Sequence, residues 1–265
     1  MRYKSINYQK KDQVSYITLN RPEVANAVNI QMATELEEVC HRINQDDDTR
    51  VVIITGSGSK AFCSGEDLSQ FSEVILNEFP SLNELKQFTL RYNVAAMVAG
   101  IECPVIAAIN GDALGAGLAL TLSCDLRISS DRVLFGVPDV SHGYLLANGI
   151  TQWLPRIVGR GKALELILTA DSIDAKEAHR IGLVHRLVRH EEVHSEAEKI
   201  AKEMASKAPI ALKYAKEVVN KGMDLTLEQG LRLECDLYMI LQTTRDRIEG
   251  VNAFREKRNP RFSKE

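Results

Sequence analysis

The chain has 265 residues, 45% hydrophobic and 26% charged, with a formal net charge of −3. That length suits one large domain, or a core with a helical extension, in an ordinary globular composition. The balance of charge excludes a global basic field for nucleic acid or anionic lipid, and no apolar run reaches membrane-spanning length. Residues 1–8 lack the apolar core of a signal peptide. The five cysteines, Cys40, Cys63, Cys103, Cys124 and Cys235, are odd in number and have no Cys-x-x-Cys spacing. They read as reduced, mostly buried thiols of a cytoplasmic protein. No His/Cys cluster has metal-ligand spacing, so no metal is expected.

In chain order, Val14–Leu19 alternates apolar and polar residues, as a half-buried strand does. Residues 29–44 carry Met32, Leu36, Val39 and Ile43 at helical spacing. Residues 51–55 form a buried-strand pattern that ends at Gly56. Residues 83–100 predict a helix, and residues 104–110 an apolar run with a strand at its centre. Residues 126–129 and 133–135 predict short strands. Thereafter helices dominate, over 149–158, 161–169, 175–181, 191–207, 210–221, 226–241 and 244–257, with one strand fragment at 183–187. Parallel strands joined by helical crossovers give a layered α/β core. A boundary near residue 200 divides a core of residues 1–200 from a helical region of residues 201–265 that covers the core or a partner subunit.

The most informative stretch is 111–124, Gly-Asp-Ala-Leu-Gly-Ala-Gly-Leu-Ala-Leu-Thr-Leu-Ser-Cys. Gly111, Gly115 and Gly117 open what reads as a helix directly after a buried strand. Small residues at such a junction present bare backbone N–H groups, which suits a negatively charged oxygen. The helix itself is apolar at Leu118, Ala119, Leu120 and Leu122, with no acid or base. A second glycine-containing loop, 56–68, follows the strand at 51–55. Glycine lets both backbones approach a ligand closely, and loops at the carboxyl ends of parallel strands often carry sites. If both loops aim N–H groups at one point they make a two-donor oxyanion hole; otherwise they are tight strand-to-helix turns. No Gly-Lys-Ser/Thr follows the glycines of the first loop, which excludes a Walker phosphate loop.

Residues 20–29 (Asn-Arg-Pro-Glu-Val-Ala-Asn-Ala-Val-Asn), 61–68 (Ala-Phe-Cys-Ser-Gly-Glu-Asp-Leu) and 104–125 resemble the three landmark segments of the crotonase (enoyl-CoA hydratase/isomerase) superfamily, in the same order and spacing. Residues 135–140, 152–159 and 253–257 extend the resemblance nearly to the C-terminus. It implies a crotonase-like spiral of ββα units with a C-terminal helical region for trimerisation, in a homotrimer or homohexamer. It implies an acyl-CoA thioester substrate, with coenzyme A as part of the substrate and no permanently bound cofactor. Two backbone N–H groups would hold the thioester oxygen, matched here by Glu66 and Ala116. Alanine replaces the usual glycine at 116, which requires a negative φ there or tolerated strain. Coenzyme A would lie along Val24, Ala25, Ala27 and the loop of Ser64, Gly65, Asp67 and Leu68, beside Gly115. Phe254 and Lys257 match a C-terminal aromatic and lysine that approach coenzyme A, sometimes from a neighbouring subunit; Lys257 is equally readable as a solvated charge.

Hydratases of the family use two glutamates, one to take a proton from water and one to deliver a proton to the α-carbon. The matching positions hold Ala119 and Asp139. A single acid at the second position resembles the Δ3,Δ2-enoyl-CoA isomerases. Single-base proton transfer by Asp139 through an enolate is therefore slightly favoured over ordinary hydration. Asp139 also reads as a loop-ordering or helix-capping carboxylate. Ala147, with Asn148 next, stands where family dehalogenases and some isomerases carry aspartate, which argues against nucleophilic aromatic dehalogenation. Methylmalonyl-CoA decarboxylase-like members carry histidine at the place of Glu66. The Glu66 side chain could repel an enolate, serve as a second acid, or turn to solvent, and solvent is the expectation. His142 and Tyr144 could line the acyl pocket, with His142 also readable as an ordinary loop residue. Two alternatives stay open: a specialised reaction (decarboxylation, ring hydration or C–C hydrolysis), and a non-catalytic acyl-CoA binder.

Overall fold

The computed structural model describes residues 3–71 and 81–265. The chain opens with an antiparallel pair, β1 (Ile6–Lys11) and β2 (Val14–Leu19). Helix α1 (Ile30–Asn44) follows, and the Asn29 side chain caps it by accepting the Met32 N–H at 2.8 Å. Met32, Leu36, Val39 and Ile43 are buried on one face, as their spacing predicts. Then come β3 (Val51–Gly56), β4 (Ala61–Cys63), α2 (Leu82–Arg91) and α3 (Val94–Ala99). The helix expected over 83–100 is therefore two. Asn93 breaks it by accepting the Ala96 N–H at 2.9 Å and capping α3. The periodicity alone does not reveal that cap.

Next are β5 (Val105–Ile109), β6 (Asp112–Leu114), α4 (Ala116–Ser123), β7 (Leu126–Ser130) and β8 (Leu134–Gly136). Helices α5 (Ile150–Val158) and α6 (Arg160–Thr169) lead to β9 (Ser172–Asp174), α7 (Ala175–Arg180) and β10 (Arg186–Val188). The chain ends in α8 (Val193–Ala205), α9 (Pro209–Gly222), α10 (Leu227–Leu241) and α11 (Arg245–Glu256). No helix among the described residues is long and apolar enough to cross a membrane.

Two sheets organise these elements. The larger runs β1-β2-β3-β5-β7-β10 and is parallel from β2 onward. The smaller runs β4-β6-β8-β9, with β4, β6 and β8 parallel. Three long strands of the first sheet each pass directly to a short strand of the second: β3 to β4, β5 to β6, β7 to β8. This repetition is the spiral of ββα units that the resemblance implies. Every residue of β3 and β5 is buried, because both faces of the sheet are covered. One face packs with α1, α3 and α4 through Val52, Ile54, Ala107 and Ile109. The other packs on α8, where Val193, Ala197, Ile200 and Ala201 meet Val51, Ile53, Ile106 and Ile128. The boundary expected near residue 200 thus falls inside α8. That helix buries an apolar face on the sheet, so the core runs through Ala205 before the last three helices begin.

Candidate active site

Two glycine loops meet at the ends of β4 and β6. The first is anchored from below by Asn26, which is fully buried in the left-handed region at φ 57°. Its amide donates to the Ser57 and Ala61 carbonyls and accepts from the Arg21 N–H, which satisfies the buried group. Arg21 in turn donates to the Ala27 carbonyl at 2.7 Å and pairs with Asp67 at 3.0 Å. Glu66 forms a parallel bridge with Val28. The bonds of that bridge run from the Val28 N–H to the Gly65 carbonyl and from the Asp67 N–H to the Val28 carbonyl, each 2.8 Å. They involve the residues flanking Glu66, so its own N–H faces away from Val28.

The second loop is tied to β8 by the Gly115 N–H, which donates to the Gly136 carbonyl at 3.0 Å. Gly115 has φ 48° and ψ −122°, a conformation for glycine alone. Ala116 is the first residue of α4 and has no positive φ. The strain at this junction sits on Gly115, so alanine at 116 meets the condition set by its sequence. The N–H groups of the first turn of α4 have no carbonyl within the helix and no side-chain cap. The loops touch: a Cβ on Gly65 would stand 3.9 Å from the Ala116 nitrogen. Ala119, at the end of the first turn of α4, is fully buried in the apolar core and brings no titratable group to the site.

Above Gly115 lies Asp139, in the 3₁₀ turn Pro138–His142 after β8. A Cβ on Gly115 would stand 3.3 Å from its Oδ2. That oxygen is buried and has no hydrogen-bond partner among the described residues. Burial raises the Asp139 pKa, opposed by its own backbone N–H and by His142. His142 is exposed, with Nδ1 at 3.1 Å from the Pro138 carbonyl.

The Glu66 side chain does not turn to solvent. It points inward, and Asn148 Nδ2 donates to its Oε1 at 2.9 Å. Asn148 is buried at φ 56°, and its Oδ1 accepts the Val94 N–H at the start of α3. Burial raises the Glu66 pKa; the Asn148 bond opposes this and the charge of Asp139 adds to it. The expectation failed because the holding partner lies far along the chain, and only folding brings it near.

These groups share a cavity of about 270 Å³. Of the expected residues, Ser64, Gly65, Glu66, Leu68, Gly115, Asp139, His142 and Tyr144 line it. Val24, Ala25, Ala27 and Asp67 lie in or beside the loop stacked beneath, where the Ser64 N–H donates to the Ala25 carbonyl at 3.1 Å. Ala116 sits behind the wall, buried. Phe254 and Lys257 do not line the cavity; Phe254 is 86% exposed on α11. Missed from sequence were the wall residues Phe71, Phe88, Thr89, Tyr92, Leu145 and Asn148. Phe71 and Phe88 meet edge-on at 5.9 Å, and Phe88 and Tyr92 at 4.6 Å. An Asn-Gly pair at 148–149 was the one local hint, since asparagine tolerates the left-handed region. Among the described residues no group of His, Cys, Asp and Glu side chains gathers to hold a metal ion.

The family model described as enoyl-CoA hydratase/isomerase matches residues 9–265. The chain is 37% identical over 262 residues to the crotonyl-CoA hydratase of Syntrophomonas wolfei, covering 99% of each. It is 37% identical over 258 residues to the short-chain-enoyl-CoA hydratase of Clostridium acetobutylicum, covering 97% of each. The crystal structure of the enoyl-CoA hydratase from Bacillus anthracis superposes with a TM-score of 0.92 at 37% identity, covering 99% of this chain and 100% of that one.

Proposed function

We propose, given that this chain belongs to the enoyl-CoA hydratase/isomerase family, that Asp139 moves a proton at the α-carbon of an acyl-CoA thioester through an enolate. The observation that carries this reading is the buried, unpartnered Oδ2 of Asp139 set against Gly115. The N–H groups of Glu66 and Ala116 receive the thioester oxygen. As the α C–H bond breaks, its electron pair forms the enolate C=C, the thioester C=O pair moves onto that oxygen, and the two donors stabilise the charge. Loss of one such donor typically costs about 100- to 1000-fold in rate. Asp139 holds the proton and returns it to the γ-carbon, which moves the double bond from the 3- to the 2-position. Burial holds its pKa above the ordinary carboxylate value, nearer the range where a carboxylate is an effective base.

Coenzyme A enters as part of the substrate, along Val24, Ala25, Ala27 and the loop from Ser64 to Leu68; no permanently bound cofactor takes part. His142 and Tyr144 line the acyl chamber. The acting form is a homotrimer or homohexamer, in which Phe254 and Lys257 reach coenzyme A on a neighbouring copy. Exposed apolar side chains on the last three helices support that assembly: Val219, Leu231, Tyr238, Met239 and Ile240.

The test is isomerisation of a 3-enoyl-CoA in deuterated water, with deuterium incorporation followed by mass spectrometry. Asp139→Asn is expected to slow it by about 100- to 10,000-fold. An unchanged rate removes Asp139 from the mechanism, and tight acyl-CoA binding without turnover across a panel of thioesters makes the chain a binder. A second reading, hydration of a 2-enoyl-CoA, is favoured by the inward carboxylate of Glu66 and by the hydratase names of the relatives.

A further inference from the structure

We propose that Glu66, held by Asn148, is a second acid–base carboxylate of this site and activates water for addition to the β-carbon of a 2-enoyl thioester. The inference rests on the reading of Asp139 as the group that serves the α-carbon. Helix α4 offers no acid at Ala119, which is sealed in the apolar core. The cavity nonetheless holds two carboxylates, because the first loop supplies one from its own tip. Glu66 bears on the site twice: its N–H turns away from Val28, and its side chain lines the same cavity as Asp139. Both carboxylates therefore line the chamber that a thioester held at that N–H would enter.

The orientation of Asn148 is forced. Its Oδ1 takes the Val94 N–H, which can only donate, so the Nδ2 hydrogens must face Glu66. Those hydrogens favour the ionised form of Glu66, as a base requires. Among the described residues, Oε2 takes no hydrogen bond and remains for a ligand. Asp139 is also buried and differs in the donors its oxygens meet. Its Oδ2 is buried without a donor, which favours the protonated form needed to deliver a proton. The titratable neighbours are Asp139 itself for Glu66, and His142 on the same turn for Asp139. Burial raises both carboxyls, and the division into base and acid follows from the Asn148 donor on Glu66 and the donor-free Oδ2 of Asp139. In the step, a water O–H bond breaks and its proton passes to Glu66 while the oxygen bonds to the β-carbon. The π pair of the double bond moves into the enolate, and the Asp139 proton bonds to the α-carbon. Solvent then carries the proton from Glu66 back to Asp139, leaving a 3-hydroxyacyl-CoA.

The experiment measures two reactions on each full-length variant: hydration of a short 2-enoyl-CoA and isomerisation of a 3-enoyl-CoA. Glu66→Gln keeps the backbone N–H and an acceptor for Asn148. It is expected to lower hydration by about 100-fold more than it lowers isomerisation. Asn148→Gly keeps the left-handed backbone but removes the donor that favours ionised Glu66. The acidic limb of hydration kcat/KM is then expected to move to higher pH, a shift that a purely structural tie would not produce. Equal losses in both reactions for Glu66→Gln, an unmoved acidic limb for Asn148→Gly, or absence of hydration in the unmodified protein would each overturn the proposal. Isomerisation that survives Asp139→Asn overturns the reading of Asp139 instead, so the two failures are distinguishable.

Discussion

Asp139 occupies a setting that favours chemistry over stability. Its pKa is raised by burial above the ordinary value of 3.8. The folded chain therefore binds this proton more tightly than the unfolded chain, and it loses stability as pH rises from that value through the folded one. Asparagine removes the titration. Asp139→Asn is expected to raise the urea midpoint relative to the unmodified protein at about pH 7, with the gain shrinking as pH approaches 3.8. A midpoint at or below that of the unmodified protein at neutral pH contradicts this. Asp139 was legible in the sequence because it stands in a short motif, three residues after Gly136. The inward turn of Glu66 was not legible, because it depends on an amide from a distant segment whose left-handed backbone only the fold enforces.

At the scale of elements, the position of α4 depends on close contact with β4. A Cβ on Gly117 would stand 2.0 Å from the Cys63 carbonyl oxygen, so no neighbour can give way cheaply. Gly117→Ala is expected to cost about 3 kcal/mol or more of unfolding free energy, measured by denaturant titration. It also displaces the Ala116 N–H from the first loop and lowers turnover. Long buried strands such as β3 and β5 announce themselves as apolar runs. The strands β4, β6 and β9 are three residues each and have no period to read. They were hidden within or beside segments that look like loops, although β4 and β6 lead directly into the site. β1 escaped for another reason: its exposed edge carries Lys10 and Lys11, residues that protect an edge strand but disguise it.

For the molecule as a whole, the last three helices are the part least explained by a single chain. Leu231, Tyr238, Met239 and Ile240 on α10 are each close to half exposed or more, unlike the core helices. A native mass of three or six chains is expected by sedimentation, and Leu231→Lys combined with Met239→Lys is expected to reduce it to one. An unchanged mass in that variant moves the interface elsewhere. Asn148 carries a consequence of a different kind. One end of its amide holds the acid at Glu66, and the other holds Val94, the first residue after the short break that follows the wall residues Phe88 and Tyr92. A substitution that moved this wall would shift the anchor of the Glu66 carboxylate in the same stroke. The shape of the chamber and the aim of its Glu66 carboxylate are therefore set through one shared amide.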